Sequence, residues 1–295
     1  MRAPLVLSLA LALAACAAGA ASPRMTLDAK VAWSEDGVDF GGFSGLALAP
    51  DGRGFTVVSD RGAWAKGQLD RDADGRMTGV TLADNGRLRG ISGDELAASD
   101  VDAEALVVDA EGDAWVSFEG FHRIRRYLDL AGPAERGPTH PAFARLQSNS
   151  GLEALAIDAA GTLHAIPERS GRLERPFPVY RYRDGRWIDP LSLRRDGPFL
   201  VSDATFGPDG RLYVLERDFE WLGGFRTRVR RFELGADGLD GETTLLETRF
   251  GELDNMESIA VWQDPEGGTR VLLLSDDNFF MLQRTVFAEY VLTAD

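Results

Sequence analysis

Short apolar strands broken by tight turns run the length of this chain, and one arrangement of them recurs. Asp203 to Asp218 reads DATFGPDGRLYVLERD: an apolar strand, a Gly-Pro-Asp-Gly turn, a second apolar strand and a charged end. The pattern returns as SGLALAPDGRGFTVVSDR at 44–61, EALVVDAEGDAWVSFE at 104–119, EALAIDAAGTLHAIPER at 153–169 and ESIAVWQDPEGGTRVLLLSDD at 257–277. Short apolar runs bounded by Gly, Pro and Asp turn signals read as β-hairpins, so the chain repeats one hairpin five times.

The copies begin at residues 44, 104, 153, 203 and 257, offsets of 60, 49, 50 and 54. Periods near fifty with several strands each predict an all-β chain folded as a β-propeller. Further strands are expected after the hairpins, at Arg123–Leu128 and Ala142–Gln147, Val179–Arg183 and Trp187–Leu193, and Arg228–Leu234 and Thr243–Arg249. No segment carries a helical period beyond a short turn at Asp94–Ala98. Only Gln283–Leu292 follows the fifth copy, so Thr26–Trp33 is expected to complete that blade and close the ring. The repeat count gives five blades; a sixth would have to lie within residues 62–100, the longest interval.

In such a blade the hairpin ends opposite the tight turn meet on one face of the disc. They are Ser44 and Asp60, Glu104 and Glu119, Glu153 and Glu168, Asp203 and Glu216, and Glu257 and Asp276, so nine of the ten are carboxylates. Period-2 alternation alone does not gather acids at strand ends. Acids crowded at one channel mouth repel, and need cations. Arg61, Arg169 and Arg217 follow three of them, and calcium suits an all-oxygen site. This reading makes Asp60, Glu104, Asp203, Glu216 and Asp276 metal ligands. Ser44, Arg61, Glu119 and Glu168 become substrate contacts, with Glu153, Glu257, Arg169 and Arg217 as catalytic groups. Asp70–Gly75 also matches the first half of a calcium loop, D-x-D-x-D-G, but Thr81 stands where a bidentate Glu belongs, and an ordinary hairpin turn accounts for it as well.

Charge and the N-terminus narrow the setting. A formal net charge of −15 argues against nucleic acid, which needs a basic face. Arg2 and the apolar stretch Leu5–Ala15 form an export leader too short to span a bilayer, and Leu13-Ala14-Ala15-Cys16 resembles a bacterial lipobox with Cys16 as the lipidation site. Residues 1–22 are thus read as leader and tether and 23–295 as one domain. The expected products are an outer-membrane lipoprotein facing the periplasm or, if cleavage falls near Ala20 or Ala21, a soluble periplasmic or secreted protein. Membrane contact is expected through the lipid only, and the domain as a monomer. With Cys16 as the one cysteine, the domain has no thiol chemistry. A G-x-S-x-G elbow is missing, Gly42-Phe43-Ser44-Gly45 falling one residue short, and His122, His140 and His164 share no motif.

Four segments, Ser59-Asp60-Arg61-Gly62, Gly151–Ala156, Leu215-Glu216-Arg217-Asp218 and Ser275–Phe279, together resemble the phytase-like family, labelled esterase-like activity of phytase. The likeness covers roughly residues 40–280. It implies an exported or envelope-bound propeller that hydrolyses phosphate or other esters, with calcium. The second hairpin departs from the pattern: Phe118-Glu119-Gly120 lacks the following arginine. The leading expectation is a metal-assisted ester or phosphoester hydrolase with Glu153 or Glu257 as general base and Arg169 and Arg217 stabilising the developing anion. The alternatives are a non-catalytic propeller that binds a ligand or protein at the same mouth, and a calcium-dependent lactonase.

Overall fold

The computed structural model describes residues 22–293 apart from 37–39, 148–149, 236–237 and 281. The leader, Cys16 and the lipid anchor expected there lie outside the described residues. Strand β1 (Met25–Ala32) comes first and is used last. The first blade is β2 (Phe43–Leu48), β3 (Gly54–Ser59), β4 (Ala63–Arg71) and β5 (Met77–Arg87), and the second is β6 (Ala103–Val108), β7 (Ala114–Phe118), β8 (Arg123–Tyr127) and β9 (Glu135–Arg136). The third is β10 (Leu152–Ile157), β11 (Leu163–Pro167), β12 (Phe177–Arg183) and β13 (Arg186–Leu193). The fourth is β14 (Leu200–Phe206), β15 (Leu212–Glu220), β16 (Gly224–Leu234) and β17 (Leu239–Glu247). The fifth is β18 (Met256–Gln263), β19 (Thr269–Ser275) and β20 (Val286–Leu292), with β1 outermost. All pairings are antiparallel.

Five inner strands, β2, β6, β10, β14 and β18, line the centre, and each touches the next, β18 returning to β2. β1 pairs with β20 from Met25↔Leu292 to Ala32↔Val286, so the ring closes by joining the two ends of the chain. The sixth-blade alternative fails because β4 and β5 fill residues 63–87 of the long interval. Ala142–Gln147 is not a strand. It contains a 3₁₀ turn at Phe143–Arg145, which leaves the two-residue β9 as the outer edge of blade two. The Asp70–Gly75 segment is a hairpin turn held by its own acid: Asp72 Oδ1 accepts the backbone N–H groups of Asp74 (3.0 Å) and Arg76 (2.9 Å). Asp70 Oδ2 accepts from the Thr81 hydroxyl across the pair (2.9 Å).

Apolar faces of neighbouring blades supply the core. At the closure, Trp33 stacks on Phe43 (centroids 5.2 Å apart) and meets Phe55 and Phe287 edge-on or tilted, binding blade five to blade one. Inner strands are also tied by hydroxyls that cross the gap between blades. Ser44 Oγ donates to Ala103 O (2.5 Å), Ser117 Oγ to Leu152 O (2.8 Å) and Ser258 Oγ to Ser44 O (2.7 Å).

Candidate functional site

Each inner strand carries a β-bulge near the end that opposes the hairpin turn. Pairing skips Ser44 in β2, Glu153 in β10, Ser202 in β14 and Glu257 in β18, and in β6 it jumps from Ala103 to Leu106, freeing Glu104. Bulges re-aim a side chain that the pleat would otherwise bury between blades. Here they place Ser44, Glu104, Glu153, Ser202 and Glu257 at equivalent positions around the mouth. Facing them, one residue past the paired end of each second strand, are Asp60, Glu119, Glu168 and Asp276. The carboxylate-bearing residues are fixed by backbone N–H bonds to Gly42 O (2.9 Å), Asp102 O (2.8 Å), Gly151 O (3.1 Å) and Asn255 O (2.9 Å).

Blade four breaks the sequence alignment by one residue. Its bulge falls on Ser202, and Val201 pairs with Glu216 and Leu200 with Arg217, so Arg217 takes the position of the other blades' acids. A one-residue slip exchanges the two faces of a strand. Asp203 and Glu216, expected at the mouth as ligands, are therefore elsewhere. Asp203 is buried inside the ring, accepting from Ala204 N (2.8 Å) and Ile259 N (2.9 Å), with its pKa well above the usual carboxyl range through burial. It stands at the inner end of a central cavity of about 950 Å³ that opens on the opposite, turn-bearing face. Glu216 is fully buried between blades, where Arg228 and Arg230 take both its oxygens (2.8, 2.7 and 2.5 Å). Ser44 gives its hydroxyl proton to blade two, so its part is to hold blades together.

The remaining expected residues converge. Asp102, Glu104 and Glu119 bring carboxylate oxygens within 4.8 Å of one another. Burial first, then the charges of Glu153 and Asp102, pushes Glu104 well above its ordinary pKa. Glu119 accepts from Gly151 N (3.1 Å), yet burial and Asp102 raise its pKa to about 7. Glu153 rises to about 8 through burial and the neighbouring Glu168, with Arg217 opposing. Asp276 reaches about 7 and Asp60 about 6, burial leading in both. Arg217 Nη1 reaches Asn255 Oδ1 (3.0 Å) and pairs with Glu257, while Nη2 lies 3.5 Å from Glu168 Oε1. Arg169 bonds Ser150 Oγ (2.7 Å) and Glu168 (3.0 Å) at the rim, and Arg61 lies over the Phe279 ring.

Asp102, Asn255 and Asp277 belong to the site and were not anticipated. Asp102 and Asn255 occupy equivalent positions, each supplying the carbonyl that fixes a mouth carboxylate-bearing residue; the signal was the run Asp100-Val-Asp102-Ala-Glu104. Asp277 Oδ1 accepts from Gly42 N and Phe279 N (both 3.0 Å), joining blade five to blade one. Asn278 and Phe279 both have positive φ (46° and 49°), a conformation that costs energy in non-glycine residues and is held here by the acids around it.

The donor set is all oxygen and mostly carboxylate, which fits a hard cation such as calcium. Burial first, and then mutual repulsion, raises the carboxyl pKa values, and a bound cation would relieve the repulsion. Asp102, Glu104 and Glu119 are the residues that would hold it.

The fold and site define a propeller with a cluster of carboxylates and arginines at one mouth of the ring. The chain belongs to the phytase-like family, described as esterase-like activity of phytase, whose family model matches residues 38–279. That membership supports a propeller of hydrolase type. Among curated proteins none matches the sequence. Similar solved structures include a PQQ-bound aldose sugar dehydrogenase from Streptomyces coelicolor (13% identity, 93% of this chain and 99% of that one, TM-score 0.51). The catalytic domain of a Coprinopsis cinerea GH62 alpha-L-arabinofuranosidase is as close in shape (11% identity, 92% and 98%, TM-score 0.51). A gluconolactonase from Xanthomonas campestris follows at 15% identity (84% and 72%, TM-score 0.46). At these identities the first two share the fold, and their reactions remain their own.

Proposed function

We propose that the mouth hydrolyses an ester or phosphoester of a small molecule, in a monomeric domain exported by residues 1–22 and, through Cys16, anchored to the envelope. The observation that supports this best is the set of bulges that turns Glu104, Glu153 and Glu257 onto one face with Arg217 among them. Glu153 carries the proton transfer. A pKa of about 8 keeps it near balance at neutral pH, so it takes a proton from the attacking water and returns it to the leaving oxygen as the ester bond breaks. Arg217, held by Glu257 and Asn255, offers its guanidinium to the anion that develops on the carbonyl or phosphoryl oxygen. Arg169 and Arg61, exposed at the rim, orient the substrate. Calcium at Asp102, Glu104 and Glu119 would add Lewis-acid polarisation of that oxygen. Glu257 is unsuited to act as base because Arg217 and Asn255 hold its Oε1.

The test is an assay of the chain from residue 23 on p-nitrophenyl phosphate, p-nitrophenyl acetate and an acyl lactone, with calcium and with chelator. Hydrolysis of at least one is expected, falling about 10²–10⁴-fold in Glu153→Gln. Unchanged rates in both Glu153→Gln and Arg217→Met would overturn the assignment. Turnover of the lactone alone would make it a lactonase, and turnover of nothing would leave a binding propeller.

A further inference from the structure

Beside the mouth, between blades four and five, lies an open groove of about 1160 Å³. The β15–β16 hairpin forms one wall with Phe219, Trp221 and Phe225; the loop after β19 forms the other with Phe280 and Leu282; and buried Leu253 is part of the floor. Trp221 is 88% exposed and Leu282 is 82% exposed. Trp221's neighbour Leu222 is 97% exposed. Large apolar side chains grouped this way mark a surface that binds something.

The groove and the mouth share one loop. Asn278 lines the groove, and its backbone N–H bonds to the carboxylate of Asp276 in the ring (2.8 Å). Phe279 faces the ring, beneath Arg61 and against Gly42, whereas the next residue, Phe280, faces the groove. On the blade-four side Asp254 lines the groove next to Asn255, which holds Arg217. The same two segments therefore contribute both to the ring and to the groove wall.

We propose that this groove seats the apolar portion of the substrate, so that the substrate is an amphiphilic ester: its acyl chain lies on Trp221, Phe280 and Leu282 while its ester group reaches Arg217 and Glu153. This rests on the hydrolase reading above. The charge on the page selects a small molecule over other occupants. In the groove lining Glu252 and Asp254 are matched by Lys30 and Arg284, so its walls carry no net charge, whereas the chain as a whole carries −15 and repels a second copy or an anionic bilayer. A neutral hydrocarbon group is not.

Two measurements separate failure of this inference from failure of the hydrolase reading. The first is kcat/KM for p-nitrophenyl acetate, butyrate and octanoate. The wild type is expected to gain roughly two- to fourfold per methylene that enters the groove. The double variant Trp221→Ser with Leu282→Ser is expected to flatten that gradient, read as the ratio of octanoate-ester to acetate-ester kcat/KM. Hydrolysis with no dependence on chain length, or a gradient that survives the double variant, overturns the groove. The second needs no turnover: octanoate titrated against the emission of exposed Trp221 is expected to shift it to the blue, and the shift is lost in Trp221→Phe. If no ester is hydrolysed yet octanoate binds, the hydrolase reading falls and the groove stands as a binding site. Binding to anionic phospholipid vesicles without binding of octanoate overturns it.

Discussion

Gly42 adopts φ +64°, and a Cβ on it would run into the carboxylate of Asp60 and the ring of Phe279. Its carbonyl holds Asp60 N and its N–H holds Asp277, so the residue is pinned from both sides. Gly42→Ala is expected to cost about 1–3 kcal/mol in denaturant unfolding, from the disfavoured backbone conformation and the displaced loop; a cost near zero would show that the loop yields. The mouth carboxyls whose pKa values are raised, Asp60, Glu104, Glu119, Glu153 and Asp276, give a second residue-scale expectation. Below about pH 4 they are protonated folded or unfolded and add no pH dependence. As pH rises the unfolded chain loses those protons first, so the folded state binds more of them and stability falls, until Glu153 has ionised at about 8. Thermal scans in chelator should therefore show Tm declining between pH 5 and pH 8, with a shallower decline in Glu153→Gln. Calcium should raise Tm at pH 8 more than at pH 5, because its ligands must be deprotonated. An equal shift at both pH values, or a shift that survives joint Glu104→Gln and Glu119→Gln, would remove those residues as ligands.

At the scale of strands, the bulge decides what the site contains. The hairpins, their turns and the face on which acids gather were legible from alternation and punctuation, because both are local. The bulge was not, since an extra residue has no composition of its own. Blade four therefore read as DATFGPDGRLYVLERD with Asp203 and Glu216 at its ends, whereas pairing puts Ser202 and Arg217 there. Glu153, Glu119 and Asp276 were identified because the same offset holds in their blades. Glu216 serves the strand pair instead, with Arg228 and Arg230 on β16 and Glu242 beyond. Glu216→Ala would leave two buried guanidinium groups without their main partner, and is expected to cost about 3–5 kcal/mol, read as Tm or as loss of soluble protein. A neutral outcome would mean that Asp196 and Glu242 suffice to hold the arginines.

For the whole molecule, the five repeats and the missing strand of the last blade were enough to foresee the ring and its closure. The function of the ring was less legible, because acids at strand ends serve packing and chemistry alike until their partners are known. Closure also makes an expectation. Removing residues 23–33 would expose the free edge of β20 and the aromatic contacts of Trp33, so the truncated chain should lose its single cooperative transition. A synthetic peptide spanning residues 23–34 should restore it; a truncated chain that unfolds as sharply as the full one would show the ring to be stable when open.

The pairing of Met25–Ala32 with Val286–Leu292 has a temporal consequence as well. Met25–Ala32 has no partner until Val286–Leu292 has been synthesised, so the closing step is an encounter between segments separated by the four other blades. Such distant pairing is slow compared with the hairpins that precede it. During that interval the nascent chain carries an unpaired strand at its front and an unsatisfied edge behind. A stop codon that removes Val286–Leu292 would therefore yield not a slightly shortened protein but one that never finishes folding.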